Sequence, residues 1–122
     1  MKRCMIVDDS SVIRKVAKRI LASPTMTIAE ASTGAQALAG CQVQMPDVII
    51  VDSVLTDMSV VEFIRQATAL DPARQPRIVI SMTQLDIAAV MRAKRAGARG
   101  YVLKPFNRPQ LLERFRDMDL AA

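Results

Sequence analysis

A chain of 122 residues, 51% of them hydrophobic and with a formal charge of +5, suits one folded domain with a buried core. It holds no His, no Trp and one Tyr, which removes the commonest general base and transition-metal ligand and argues against a stacking platform for single-stranded nucleic acid. Met1-Lys2-Arg3 opens no signal peptide, no apolar run approaches bilayer length, and Cys4 and Cys41 sit in apolar segments as buried reduced thiols, so a cytoplasmic protein with no membrane partner is expected.

Cys4 to Val7 is a short continuous apolar run, the pattern of a strand buried on both faces. Ser10 or Ser11 then caps a helix whose apolar residues Val12, Ile13, Val16, Ala17, Ile20 and Leu21 recur at helical spacing, closed by Pro24. Thr27 to Ala31 is a second strand, and Thr33-Gly34 opens a helix to about Val43. Asp47 to Asp52 is a third strand, β-branched inside. A loop leads to a helix from about Val60 to Leu70. Arg77 to Ser81 is a fourth strand, and Asp86 to Ala96 a helix ended by Gly97. Gly100 to Leu103 is a fifth strand, and Asn107 caps a last helix to about Met118. The 17 basic residues are spread along the chain rather than in one block, which reads as a solvated surface.

Five apolar strands alternating with five helices predict an α/β fold, an open parallel sheet with helices on both faces and right-handed crossovers. In such sheets, sites form at the carboxyl ends of the strands. There the first strand gives way to Asp8-Asp9, the third ends on Asp52, Ser81-Met82-Thr83 close the fourth, and Lys104-Pro105 follow the fifth. Singly, each fits a turn, a cap or a loop. Together, with neighbouring first and third strands, Asp8, Asp9 and Asp52 converge, and three carboxylates in one pocket call for a hard divalent cation such as Mg²⁺. Lys104 adds a mobile point charge suited to a phosphoryl oxygen. That set is a phosphoryl-transfer site, with Asp52 as nucleophile forming an acyl phosphate.

The order "VDD", "VIIVD", "AGARGYVLKPF" resembles, along essentially the whole chain, the receiver domain of two-component response regulators, in its small single-domain form. The resemblance implies a flavodoxin-like, doubly wound (βα)5 fold with strand order 2-1-3-4-5. It implies one receiver domain over residues 1–122 with no output domain, monomeric, acting on a separate downstream protein and not on nucleic acid. A histidine kinase or histidine phosphotransfer protein would donate the phosphoryl group. Asp8, Asp9, Asp52 and the backbone carbonyl of Val54 would hold Mg²⁺, and Asp52 would be the acceptor. Lys104 would contact the phosphoryl group, Pro105 would follow a cis peptide bond, and Tyr101 would be the aromatic that swings on activation. The first helix, with Arg14, Lys15, Lys18 and Arg19 around its apolar stripe, would dock the donor.

Two departures from the family pattern stand out. Leu55-Thr56 and Val60 occupy the places of a Met-Pro pair and a Gly in the loop after the acceptor. Met82 falls where a Thr or Ser switch hydroxyl is expected, so Thr83 or Ser81 takes the phosphoryl-binding role only through a slipped or bulged strand. Other chemistries fit less well. A haloacid-dehalogenase-type phosphatase needs a second Asp where Val54 stands. An FMN module needs an uncharged phosphate loop where Asp8-Asp9 stand, and no G-x-G-x-x-G occurs. The remaining alternative is a phosphorylation-independent pseudo-receiver, a protein-binding module: Met82, Thr56 and Val60 favour it, and the acids with Lys104 oppose it.

Overall fold

A computed structural model describes Met1–Ala121. In chain order the elements are β1 (Lys2–Val7), α1 (Ser11–Leu21), β2 (Met26–Ala31), α2 (Gly34–Val43), β3 (Val48–Asp52), α3 (Val60–Ala69), β4 (Arg77–Met82), α4 (Ile87–Ala96), β5 (Gly100–Leu103) and α5 (Arg108–Asp117). The strands form one parallel sheet in the order β2-β1-β3-β4-β5. The flavodoxin-like doubly wound arrangement is therefore the observed one.

Each central strand is apolar on both sides because both sides are covered. Met5, Val7, Ile49, Val51, Ile78, Ile80 and Met82 face a core completed by Phe63, Ile64 and Ala67 of α3, Val90 and Ala93 of α4, and Ala37 and Cys41 of α2. Cys4, Ile6, Val48, Ile50, Val79 and Val102 face the other way, against Ala17, Ile20 and Leu21 of α1 and Leu111 and Phe115 of α5. Cys4 and Cys41 are free and buried, and burial pushes their thiols up to about 12 and about 11.

The helix starts are set locally. Ser10, Thr33, Ser59, Asp86 and Asn107 each accept, through the side chain, the backbone N–H three residues on; such a cap is worth about 1 kcal/mol. Gly97 ends α4 at φ 125°, a conformation that a Cβ disfavours. β1 begins at Lys2, two residues before its apolar run, because Lys2 and Arg3 pair with Met26 and Thr27. β4 runs one residue past Ser81, to Met82, which pairs with Leu103. Among the described residues no helix is long and apolar enough to cross a membrane.

Candidate phosphoryl-transfer site

The adjacent acids that end β1 are explained by the register of the sheet. Val7 pairs with Val51, so the next residues, Asp8 and Asp52, leave their strands side by side. Carboxylate oxygens of Asp8, Asp9 and Asp52 all lie within 4.8 Å of one another. Asp8 is 2% exposed, Asp52 partly buried and Asp9 exposed, so the trio grades from core to solvent.

Asp8 is the most tightly held. Its Oδ1 accepts the Ser10 N–H at 2.9 Å, and its carbonyl accepts from Arg14 Nη1 at 2.7 Å. Glu30 at the end of β2 holds the same guanidinium through Nε at 3.0 Å. Arg14, read from the sequence as part of a basic docking face, is thus a structural support beneath Asp8. Lys15, Lys18 and Arg19 remain exposed.

Lys104 enters from the far side of the sheet. Its backbone N–H donates to the Met82 carbonyl at 2.8 Å, and the Lys104–Pro105 peptide is cis. The ammonium donates to Asp8 Oδ2 at 2.9 Å and lies 3.2 Å from Asp52 Oδ2. Burial alone would lower its pKa; the hydrogen bond to Asp8 and the charge of Asp52 outweigh that, and the net shift is upward. Asp52 Oδ1 accepts the N–H of Val54, whose side chain is 77% exposed.

The charge arithmetic bears on the metal. Each pair of carboxylates at such separations repels by roughly 3 kcal/mol at an effective dielectric of 20. Three carboxylates against one ammonium leave two negative charges, the complement of a divalent ion, and the donors are all oxygen. The residues present therefore fit Mg²⁺.

The end of β4 has regular pairing, with neither slip nor bulge: Asp52 opposite Ser81, Met82 opposite Leu103. Met82 is 4% exposed, packs in the core beside the partly buried Tyr101, and its Sδ accepts the Asp86 N–H at 3.4 Å. Thr83 lies beyond the strand and is exposed. Ser81, 1% exposed, is the register partner of Asp52 and so shares its face of the sheet. The same alternation that turns Ser81 away from Met82 places it beside Asp52. Tyr101 is held by Arg114, whose guanidinium lies 4.9 Å from the ring centroid and donates to the Tyr101 carbonyl at 2.8 and 3.2 Å. Nothing in the spacing of the sequence announces that clamp.

The loop after β3 is fastened despite lacking a Pro or Gly. Asp57 accepts the N–H groups of Gly34 and Ala35 at 3.0 and 2.9 Å, across at the start of α2. These bonds, Ala35 first, hold the Asp57 carboxyl below its ordinary value.

Comparison with known proteins agrees with this geometry. The family model for the response regulator receiver domain matches residues 4–116. The chain is 28% identical over 113 residues to the chemotaxis protein CheY of Thermotoga maritima, covering 92% of each. It is 30% identical over 112 residues to CheY of Bacillus subtilis, covering 91% of this chain and 92% of that one. The crystal structure of the chemotaxis response regulator CheY4 of Vibrio cholerae superposes with a TM-score of 0.87 at 29% identity, over 97% of this chain and 98% of that one. With the acids at the strand ends, the lysine between them and a family match over nearly its whole length, the chain belongs to the response regulator receiver domain family, in its CheY-like form.

Proposed function

We propose that the protein accepts a phosphoryl group onto Asp52 from a phosphohistidine of a histidine kinase or histidine phosphotransfer protein, and signals to a separate downstream protein. A carboxylate oxygen of Asp52 attacks phosphorus, the N–P bond of the phosphohistidine breaks, and the imidazole leaves with the bonding pair. Asp52 becomes an acyl phosphate. Lys104, already held between Asp8 and Asp52, supplies positive charge to the arriving phosphoryl oxygens. Asp8, Asp9, Asp52 and the Val54 carbonyl would hold Mg²⁺, which supplies charge neutralisation for the transferring group. Asp8 is kept in place by Ser10 and Arg14, so the site is organised before the donor arrives.

The observation that carries this reading is the convergence of Asp8, Asp9 and Lys104 on Asp52. It is tested by intact-mass measurement after incubation with Mg²⁺ and a small-molecule phosphodonor. A single phosphoryl adduct is expected, absent in Asp52→Asn and absent when Mg²⁺ is chelated. An adduct that persists in Asp52→Asn overturns the reading, as does none with a competent kinase.

The first helix supports donor docking through exposed Lys15, Lys18 and Arg19, with Val12, 67% exposed, at its start. Lys15→Glu with Lys18→Glu should slow transfer from the protein donor, most at low salt, and leave small-molecule phosphorylation intact. Equal loss in both assays would mean a damaged site instead. One observation favours the second reading, a pseudo-receiver that works without phosphorylation: Met82 carries no donor where the family has its switch hydroxyl.

A further inference from the structure

The end of the sheet opposite Asp52 gathers basic residues that the sequence scatters. Three clefts of about 660, 230 and 410 Å³ open along the amino ends of the strands. The first and second share Asp47 and Arg74; the second and third share Gln75 and Arg77. They therefore form one furrow, lined in order by Arg3, Arg74, Arg77 and Arg99, with Lys2 on its wall. Crossing from β1 over β3 and β4 to β5, it spans three strand spacings, roughly 14 Å, the length of about four residues of extended peptide.

The first cleft balances Arg3 and Arg74 against Asp47 and Asp71, whereas the second, with Lys2, Arg74 and Arg77 against Asp47, and the third, with Arg77 and Arg99 and no carboxylate, each carry a surplus of two positive charges. None of the ion pairs among the described residues involves Arg3, Arg74, Arg77 or Arg99. The two acids of the first cleft each accept one backbone N–H and keep their charge: Asp47 that of Arg3 at 2.8 Å, and Asp71 that of Ala73 at 3.1 Å. The Nε of Arg3 is buried and has no partner among the described residues. Basic residues that end helices offset the helix dipole, which accounts for Lys94 and Arg95 in the last turn of α4. It does not account for Arg3 in a strand, or Arg74 and Arg99 in loops; Arg77 donates to the Asp119 carbonyl and Lys2 to the Ala121 carbonyl, so these two are partly committed within the chain.

We propose that this furrow docks an extended acidic peptide segment of a partner protein, rich in Asp and Glu, independently of phosphorylation. Planar guanidinium groups spaced along a narrow trough suit carboxylate side chains presented in a row. No aromatic residue lines it to stack a nucleic-acid base, and a recessed trough fits a peptide better than a flat lipid surface. Because it lies at the far pole from Asp52, the furrow leaves the phosphorylation site open to a donor.

The test is fluorescence anisotropy of a labelled oligoglutamate peptide against the full chain. Arg74→Glu with Arg99→Glu should weaken binding at least about tenfold, whereas Arg65→Glu with Arg92→Glu, an equal change of net charge at exposed positions outside the furrow, should weaken it less than about threefold. Asp52→Asn should leave binding unchanged, which separates this outcome from any failure of the phosphorylation reading. Absence of binding at low salt, or equal weakening by both charge-reversed pairs, overturns the proposal. Tighter binding to a DNA duplex or to phosphatidylglycerol vesicles than to the peptide overturns it in favour of that polyanion.

Discussion

Two places at the carboxyl edge of the sheet depart from the receiver pattern, and they fare differently. The loop after β3 carries Leu55-Thr56 and Val60 in place of a Met-Pro pair and a Gly. It is held by other atoms: Asp57 accepts from Gly34 and Ala35, Ser59 from Glu62, and Asp52 from the N–H of Val54. At the end of β4, Met82 stands where the family resemblance expects a hydroxyl and nothing takes that place in register; Thr83 is outside the strand, and Ser81 points to the face opposite Met82, the one it shares with Asp52. A loop conformation is a sum of interchangeable hydrogen bonds, so it survives substitution. A switch hydroxyl is one donor at one position, and a thioether there cannot donate.

The sharpest attack on this contrast is Met82→Thr. Removing a buried Met and adding a hydroxyl should cost about 3 kcal/mol of stability. The same change should enlarge the amide NMR response of α4, β5 and α5 to a beryllofluoride phosphoryl mimic, which in the parent chain should be small. A charge-assisted hydrogen bond is worth about 1.5–3 kcal/mol, enough to move the active state between minor and major population. If the parent response is already large and Ser81→Ala abolishes it, the hydroxyl beside Asp52 carries the switch and the contrast collapses.

Arg114→Met should come next. It removes two charged hydrogen bonds to the Tyr101 carbonyl and the cation over the ring, a loss of about 2 kcal/mol. If Arg114, and not the end of β4, sets the ring, then Tyr101 should gain side-chain mobility in relaxation measurements without any phosphoryl mimic. An unchanged ring would mean that Met82 alone confines it.

The layout was legible from the residues because periodicity is local: each apolar run and each capping residue reports on its own few neighbours. The acids at the ends of β1 and β3 were legible as residues of one edge, since in a parallel sheet strand ends of like direction line the same edge; that they meet requires β1 and β3 to be neighbours. The strand order itself entered by family resemblance, as periodicity does not fix it. What stayed hidden depends on distant partners. Arg14 looked like a surface cation until Asp8 and Glu30 were seen to hold it. Asp57 sits in a loop with nothing in its neighbours to single it out, and Arg3, Arg74, Arg77 and Arg99 looked dispersed until the sheet aligned them.

A smaller effect probes how firmly the β3–α3 loop is seated. A Cβ at Gly34 would come 2.8 Å from the Sδ of Met58 and 2.9 Å from its Cγ. Met58 is flexible, and Ala favours the helix more than Gly does, so Gly34→Ala should change stability by less than about 1 kcal/mol. It should nonetheless shift the amide resonances of Asp57 and Met58. A large loss of stability would show that the loop tolerates less rearrangement than its substitutable hydrogen bonds imply.

The smallest expected effect is the most specific to the loop. Asp57 has its pKa lowered by the N–H groups of Ala35 and Gly34, so the ionised form is the one that ties the loop to α2. A carboxyl whose folded pKa lies below its unfolded value of 3.8 adds stability that is fully present above that value. That contribution fades as pH falls through the lower, folded value. Asp57→Asn keeps one acceptor oxygen and loses the charge, so it should be slightly less stable than the parent near neutrality. The difference should shrink as the pH is taken below about 4, when the parent carboxyl takes up its proton as well. Denaturant melts of both proteins at a series of pH values would measure this. A gap that widens on acidification has the wrong sign for a hydrogen-bonded carboxylate, and would mean that the loop is held by Met58 and Ser59 with Asp57 a bystander.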